Sequence, residues 1–358
     1  MKNLLLTLTF FFGYLAPTQA QYVTIPDPNF VTKLQMLFPN CMNGNQMDTT
    51  CTEIVNATQL DVSSFNISDL SGVEYFDNLN NLNCYNNQLT SLPTLPNSLT
   101  SLDCGGNQLT SLPTLPNSLT ALICSYNQLT SLPTLPNSLL YLYCTYNQLT
   151  SLPILPNSLL YLYCYNNQLT SLPTLPNSLF QLHCYDNQLT SLPTLPNSLT
   201  ALICSYNQLT SLPTLPNSLT NLECRGNQLT SLPTLPDSFI QLNCIDNQLT
   251  TLPLLPNSLL YLFCNNNQLT SLPSLPNSLV TLWCNNNQLT SLPEVPVVMS
   301  RFYIQNNNIS CLVNLPAVPL SDYASISNNP LTCVPNQTDY SLGLPLCINN
   351  DPVNNPNQ

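Results

Sequence analysis

Charged side chains are scarce in this chain of 358 residues: Asp, Glu, Lys and Arg together make up 6% of it, where about a quarter is usual. Only Lys2, Lys33, Arg225 and Arg301 are cations, and the formal net charge is −12. Nucleic acids and anionic membrane surfaces bind proteins through clustered cations, so the composition excludes both as partners. The polar surface must instead be made of Asn, Gln, Ser, Thr and Tyr.

Long apolar segments are missing after the first 20 residues, so no later part of the sequence is predicted to cross a bilayer. The beginning is different, because Lys2 precedes an apolar run over residues 4–15 and small residues end at Ala20. This pattern is typical of a secretory signal peptide. We expect residues 1–20 to be removed and the remainder to be secreted or held at the outer cell surface, without inserting into the membrane.

Repetition dominates the rest of the chain. From residue 81 to residue 300 a unit of 20 residues, x-L-x-C-x-x-N-Q-L-T-S-L-P-x-L-P-N-S-L-x, occurs eleven times. A fixed period between 20 and 50 residues is typical of a solenoid, in which each unit buries its apolar face only against its neighbours. The sequence therefore predicts one elongated domain rather than several globular ones.

Each unit has a part that favours a strand and a part that excludes a helix. Leu82 and Cys84 alternate with variable residues, which is the period of a short strand with one face inward. Pro93 and Pro96 exclude a helix from the return arm and favour extended, polyproline-like backbone. The pair Asn97-Ser98 then favours a turn into the next strand.

These residues carry a family resemblance. The pattern L-x-x-L-x-C-x-x-N-x-L over residues 99–109 resembles the leucine-rich repeat signature, and Leu-Pro-x-Leu-Pro resembles its 20-residue bacterial class. Residues 66–79 resemble the longer repeat of internalin-like proteins. With the signal-like start and the opening at residues 25–30, the whole resembles secreted leucine-rich-repeat proteins of Bacteroidetes-type bacteria.

The resemblance implies a leucine-rich repeat solenoid, a right-handed superhelix of β-strands and loop or polyproline segments. A parallel β-sheet would form its concave face, extended arms its convex face, and a small helical cap its N-terminal end. The repeated asparagine, from Asn87 to Asn307, would satisfy backbone groups at the turn that leaves each strand.

The expected organisation follows the pattern along the chain. Residues 21–58 form the N-terminal cap, with a short helix around 28–38, and residues 59–80 form a first repeat of 22 residues. Residues 81–300 form the eleven regular repeats. Degenerate repeats and a C-terminal cap occupy residues 301–347, and residues 348–358 form a polar, disordered tail.

Eleven of the sixteen cysteines fall on one position of the repeat. We predict that these, which we call the thiol ladder, are small buried thiols rather than disulfides or metal ligands; they are Cys84, Cys104, Cys124, Cys144, Cys164, Cys184, Cys204, Cys224, Cys244, Cys264 and Cys284. Of the remaining five, Cys41 and Cys51 are predicted to pair, as are Cys333 and Cys347. Cys311–Cys333 is the alternative at the C-terminal end. No metal site and no cofactor is predicted.

The units differ from one another mainly at the outward strand positions and in the turn beside them. Aromatic residues gather there in two places, which we predict to contact a ligand. The tyrosine zone consists of Tyr141, Tyr143, Tyr146, Tyr161, Tyr163, Tyr165, His183 and Tyr185, and the tryptophan zone of Tyr261, Phe263, Trp283 and Tyr303. The alternative is that these rings only stabilise one another across the strands.

Catalysis is not predicted. His183 is the only histidine and is not accompanied by a nucleophile arranged for catalysis. Paired-carboxylate chemistry requires a pocket, which a smooth open sheet does not offer. The chain is therefore not expected to be an enzyme.

The predicted function is recognition or adhesion: the concave sheet would bind a protein or a glycan, and the chain would act as a monomer. A passive spacer or surface-coat protein is the first alternative, supported by the identical segments at 121–126 and 201–206, which favour recent duplication. The second is a fragment of an effector ubiquitin ligase, because some of those enzymes have similar Leu-Pro-x-Leu-Pro repeats.

Overall fold

The structure is a computed structural model that describes residues 21–316 and 324–332. The predicted signal peptide, the polar tail and both pairings proposed for Cys333 lie outside the described residues. The boundaries proposed for the C-terminal cap therefore stay predictions.

A small α/β unit closes the N-terminal end. Strand β1 (Tyr22–Thr24) pairs antiparallel with β3 (Gln46–Asp48), which pairs antiparallel with β2 (Met42–Asn43). Helix α1 spans Pro28–Leu37, which confirms the helix expected around residues 28–38, and α2 spans Thr52–Val55. Single 3-10 turns lie at Pro39–Cys41 and Val73–Tyr75.

Two features hold this cap together and join it to the repeats. Cys41 and Cys51, the predicted pair, are joined in a disulfide with 5.6 Å between their Cα atoms. Asp27 caps α1, since its Oδ1 accepts hydrogen bonds from the backbone N–H groups of Asn29 and Phe30 at 2.9 Å. Its Oδ2 accepts from the N–H and the hydroxyl of Ser68, both at 2.7 Å. One buried carboxylate thus connects the cap to the first repeat.

The repeats build one parallel sheet of 14 strands within the described residues, ordered as in the sequence. Its strands are β4 (Gln59–Asp61), β5 (Asn81–Asn83), β6 (Ser101–Asp103), β7 (Ala121–Ile123), β8 (Tyr141–Tyr143), β9 (Tyr161–Tyr163), β10 (Gln181–His183), β11 (Ala201–Ile203), β12 (Asn221–Glu223), β13 (Gln241–Asn243), β14 (Tyr261–Phe263), β15 (Thr281–Trp283), β16 (Arg301–Tyr303) and β17 (Ala324–Ser325). Between β5 and β16 the register pairs each residue with the residue 20 positions later, as in Tyr143 with Tyr163. This is the leucine-rich repeat architecture that the resemblance implied.

The core runs through the stacked coils without interruption. In the unit that begins at residue 141, Leu142, Cys144, Leu149 and Leu159 are all completely buried. All eleven thiols of the ladder are buried and form no disulfide bonds, as predicted. Each coil is too thin to have a core of its own, so these side chains are covered mainly by their counterparts one coil away.

The repeated asparagine ties each coil to the one before it. Asn147 accepts a hydrogen bond on Oδ1 from the N–H of Leu129, at 3.0 Å. Its Nδ2 donates to the carbonyl oxygens of Cys124 and Cys144, at 3.0 and 3.2 Å. A buried amide or carbonyl left without a partner costs about 1–3 kcal/mol, so this residue type does not vary. The predicted role of the asparagine row is confirmed. The hydrogen bonds that Asn147 makes with the preceding coil go beyond that prediction.

Candidate ligand-recognition face

Every three-residue strand of the sheet presents its first and third side chains to the concave face, while the middle leucine points inward. In β8, β9 and β10 the outer positions are half-buried and the middle one is buried. Because the register is in steps of 20, equivalent side chains of adjacent coils lie side by side. A residue type repeated at this interval therefore becomes a continuous file across the strands.

The tyrosine zone consists of two such files and of a third, mixed file that joins two adjacent positions of the repeat. In the middle file Tyr143 stacks on Tyr163 with 4.7 Å between ring centroids, and Tyr163 stacks on His183 at 4.1 Å. The Tyr163 hydroxyl donates to Oε1 of Gln181 at 2.7 Å. In the file before it, Tyr141 stacks on Tyr161 at 5.2 Å. The structure thus brings five of the predicted residues into two parallel files.

The third file lies in the turn that follows each strand. Tyr165 stacks on Tyr185 with 4.2 Å between centroids, and Tyr146 meets Tyr165 edge to face at 5.6 Å. Tyr126, which was not among the predicted residues, extends this file by stacking on Tyr146 at 4.3 Å. Phe180 lies one repeat position before the file that contains Tyr161 and borders it, because the two rings meet edge to face at 5.9 Å. The 20-residue period already aligns Tyr126 with Tyr146 in the sequence, whereas the contact of Phe180 is visible only in the structure.

Burial in these files changes the acid–base behaviour of their members. It lowers the pKa of His183, so the imidazole is neutral at physiological pH and lies flat on Tyr163. Burial, with a smaller contribution from neighbouring tyrosines, raises the pKa of Tyr143 and Tyr163. The tyrosine zone is therefore an uncharged aromatic surface with hydroxyl groups.

A polar depression borders the tyrosine zone on the C-terminal side. It has a volume of about 440 Å³, and its lining includes His183, Tyr185, Glu223 and Arg225. Arg225 forms an ion pair with Asp246, with 2.9 Å between Nε and Oδ2. The depression thus places charges of both signs beside the aromatic files. Sequence analysis missed it, although Arg225 is one of only four cations in the chain.

The tryptophan zone has a different geometry. Phe263 and Trp283 meet edge to face at 5.1 Å, as do Trp283 and Tyr303 at 5.5 Å. None of these three rings is stacked face to face on another. Tyr261 stands apart from them, since it occupies the first position of its strand and pairs in register with Thr281. The four residues predicted as one zone are therefore a group of three and a separate tyrosine.

Within residues 21–316 and 324–332, no three His, Cys, Asp or Glu side chains lie close enough together to bind a metal ion. Over the same described residues, none of the helices has the length and the apolar character needed to cross a bilayer.

No family model and no curated protein matches this chain, but solved structures do. YopM from Yersinia enterocolitica WA-314 is 40% identical, with a TM-score of 0.70; the match covers 73% of this chain and 58% of that one. A leucine-rich effector protein, YopM from Yersinia pestis, is 33% identical, with a TM-score of 0.67 and coverage of 86% and 96% respectively. This chain is a leucine-rich-repeat protein.

A third structure shares the most unusual feature of this leucine-rich-repeat protein. The functional domain of InlJ from Listeria monocytogenes is 25% identical, with a TM-score of 0.60, and the match covers 82% of this chain and 78% of that one. That domain includes a cysteine ladder. The comparison supports the bacterial leucine-rich-repeat architecture, and both chains have a ladder of cysteines.

Proposed function

We propose that this leucine-rich-repeat protein is a recognition module that binds a protein partner on its concave sheet, through the tyrosine zone. Tyrosine offers a large, rigid contact area with a polar end, which suits the centre of a protein interface. The polar depression with Glu223 and Arg225 would supply the charged rim. The leucine-rich-repeat fold that this chain shares with its bacterial neighbours supports an interaction role.

The observation that carries this proposal is the placement of tyrosine on strained backbone. Tyr126 and Tyr146 have φ angles of 56° and 51°, in the left-handed region. A bulky side chain is unfavourable there, and glycine, asparagine and aspartate occupy the same position in the other regular coils except one. That exception is Tyr206, which lines the polar depression beside the tyrosine zone. Stability alone favours those smaller residues. Residues in costly backbone conformations concentrate at functional sites, so the two tyrosines point to a ligand.

The location belongs to the same proposal. A protein partner outside the cell fits the predicted signal peptide, and the Cys41–Cys51 disulfide fits an oxidising compartment. We propose secretion or display at the outer surface, with the chain acting as a monomer and without enzymatic activity.

The test compares three proteins on one array of purified extracellular proteins: the wild type, the double variant Tyr143→Ala/Tyr163→Ala, and Ile154→Ser. Ile154 lies on the convex arm of the same coil and is 86% exposed, so its variant is a matched control. We expect a protein bound by the wild type and by the control to lose roughly 30-fold or more in affinity for the double variant, the effect of removing an interface hot spot.

Two outcomes would contradict the proposal. Partners bound equally by the wild type and the double variant would remove the tyrosine zone from recognition. An array without any concave-face partner would favour the passive spacer, in which the stacked rings only stabilise the coils.

A further inference from the structure

A second cavity lies on the concave sheet at the tryptophan zone. It has a volume of about 360 Å³ and is lined by Asn265, Trp283, Asn285, Tyr303 and Gln305. Small-molecule sites have volumes of roughly 300–1,000 Å³, so the cavity is large enough for a small ligand. Its lining contains two aromatic rings and three carboxamide side chains but no charged group.

Three buried polar atoms of this lining have no hydrogen-bond partner: Oδ1 of Asn265, Nε1 of Trp283 and Oε1 of Gln305. Among the residues that the structure describes there is one other such atom, Oδ1 of Asn221. Asn265 is only 8% exposed, so its amide is largely cut off from solvent. A buried polar group without a partner is unfavourable, and such groups are rare in folded proteins. Their concentration in one cavity points to a ligand that would pair with them.

Asn265 and Gln305 occupy the repeat position that directly follows the ladder cysteine or its equivalent, Ile304. In two other coils the polar side chains at this position find hydrogen-bond partners within the protein. The coil at the border of the tyrosine zone has Ser125 at this position, and the first coil of the zone has Thr145. The Thr145 hydroxyl donates to that of Ser125 at 2.9 Å, and the Ser125 hydroxyl donates to the Tyr143 carbonyl at 3.3 Å. In the coils of the tryptophan zone the position holds the longer amides Asn265, Asn285 and Gln305. The unpaired oxygens of Asn265 and Gln305 are therefore due to the amide residues of these coils and do not follow from the repeat itself.

We infer that this cavity binds a neutral saccharide. A sugar hydroxyl both donates and accepts, so it can pair with the indole N–H and with either end of a carboxamide. The Trp283 and Tyr303 rings provide apolar surface for the C–H groups of a pyranose ring. A charged ligand would lack a counter-charge among the five lining residues, and a purely apolar ligand would leave the three polar atoms unpaired.

This inference deepens the recognition function proposed above by naming the ligand class of the tryptophan zone, and it rests on residues that the protein-binding proposal does not use. The two can therefore fail separately. Saccharide binding is measured by Trp283 fluorescence. Protein binding is measured on the array with the Tyr143→Ala/Tyr163→Ala variant.

Trp283 is the only tryptophan in the chain, so its fluorescence reports directly on the cavity. The experiment titrates the full chain with glucose, galactose, N-acetylglucosamine and their β1,4-linked oligomers, with glucuronic acid and a capped dipeptide as comparison probes. We expect a saturable change in emission with a neutral sugar. Gln305→Ala and Asn265→Ala should each weaken that binding about tenfold or more, because each removes a hydrogen bond to a hydroxyl.

The controls separate lost binding from lost folding. Ile154→Ser, on the convex arm several coils away, should bind the sugar as the wild type does. Gln305→Ala removes a half-buried side chain and should melt as the wild type does, even if Asn265→Ala is destabilised. The inference is overturned if no neutral sugar gives a saturable change, if Gln305→Ala binds the sugar unchanged, or if only the dipeptide or glucuronic acid saturates the signal.

Discussion

At the scale of single residues, one position in every coil is restricted by its backbone. The residue two positions past the ladder cysteine has a positive φ of 50–65° throughout the regular repeats that the structure describes. Its occupants are Asn86, Gly106, Tyr126, Tyr146, Asn166, Asp186, Tyr206, Gly226, Asp246, Asn266 and Asn286. Sequence analysis treated this position as free variation. The preference for Asn, Asp and Gly is instead a consequence of the left-handed backbone, which they tolerate best.

Asn166 tests this restriction, because its φ is 54° and only its backbone, not its side-chain amide, is hydrogen-bonded to neighbouring coils. Asn166→Ala should lower the free energy of unfolding by about 1–2 kcal/mol, since alanine is unfavourable in this region. Asn166→Gly should leave it nearly unchanged or slightly higher. Urea unfolding of the two variants measures the difference. Equal midpoints would mean that the backbone does not restrict this position.

His183 offers a second test at the same scale. Burial against Tyr163 lowers the pKa of the imidazole, so its NMR titration should have a midpoint below the usual value of about 6.5. Tyr163→Ala should expose the ring and move the midpoint back towards that value, whereas Tyr261→Ala should not. As the folded pKa is depressed, the neutral imidazole stabilises the fold above the unfolded pKa, and this contribution is lost as the pH falls through the folded pKa. A wild-type midpoint at or above the usual value would contradict the buried stack.

At the scale of one coil, stability comes from groups that repeat in every turn of the chain. The asparagine row pairs backbone groups across adjacent coils, and the thiol ladder fills the space behind the strands. A further ladder of exposed amides crosses the C-terminal coils: Asn286 donates to Asn266 at 2.6 Å, and Asn266 donates to Asp246 at 2.5 Å. Because each ladder joins neighbours, the loss of one member should disturb two interfaces.

The thiol ladder predicts an alkaline limit to stability. Burial raises the pKa of Cys144 and Cys184 to about 12, and it raises the pKa of the other nine ladder thiols as well. Unfolding frees each thiol to ionise near its usual pKa of about 8.5. The stabilising effect is therefore complete below about pH 8.5 and is lost as the pH rises towards the folded pKa, by about 1.4 kcal/mol per pH unit for each thiol.

Urea unfolding between pH 8 and pH 10.5 measures this loss. The double variant Cys164→Ala/Cys184→Ala should be less stable at neutral pH but should lose stability less steeply on the alkaline side, by about two protons. A thiol reagent should modify the ladder only after unfolding. Parallel pH profiles for the variant and the wild type would show that the ladder thiols are already ionised or bonded in the folded chain.

At the scale of the whole molecule, the constant register makes the chain modular. The stability of a solenoid is approximately the sum of its repeats and their interfaces. Each regular strand from β5 to β16 is parallel to its neighbours, and each is paired with a residue offset of 20. The strands lie in sequence order, so no connection between distant strands fixes how many coils the sheet must have. The cap closes one end of this stack through Asp27 and Ser68.

Deletion of residues 201–220, one whole coil, should leave a folded protein with slightly lower stability, because β10 can then pair with β12 in the same register. Deletion of residues 201–210 should disrupt folding, since the strand of one coil would meet the arm of the next. Circular dichroism and thermal melting distinguish the two. A whole-coil deletion that unfolds the protein would show that a single coil is indispensable.

The period, the strand position and the buried leucine and cysteine were determined by the sequence alone. In a solenoid these features are local: one unit sets its own strand and return arm, and identical units repeat the result. Even the cap disulfide could be proposed from Cys41 and Cys51, because they lie outside the repeated row.

Only the tertiary structure decided how residues of different coils meet. The stacking of Tyr126 on Tyr146, the separation of Tyr261 from Trp283, and the unpaired amide oxygen of Asn265 all depend on ring angles and on burial across strands. A repeat pattern specifies which side chains share a file but not how their rings or amides are oriented. That orientation results from packing between adjacent coils, and it is what distinguishes the stacked tyrosine zone from the open cavity at Trp283.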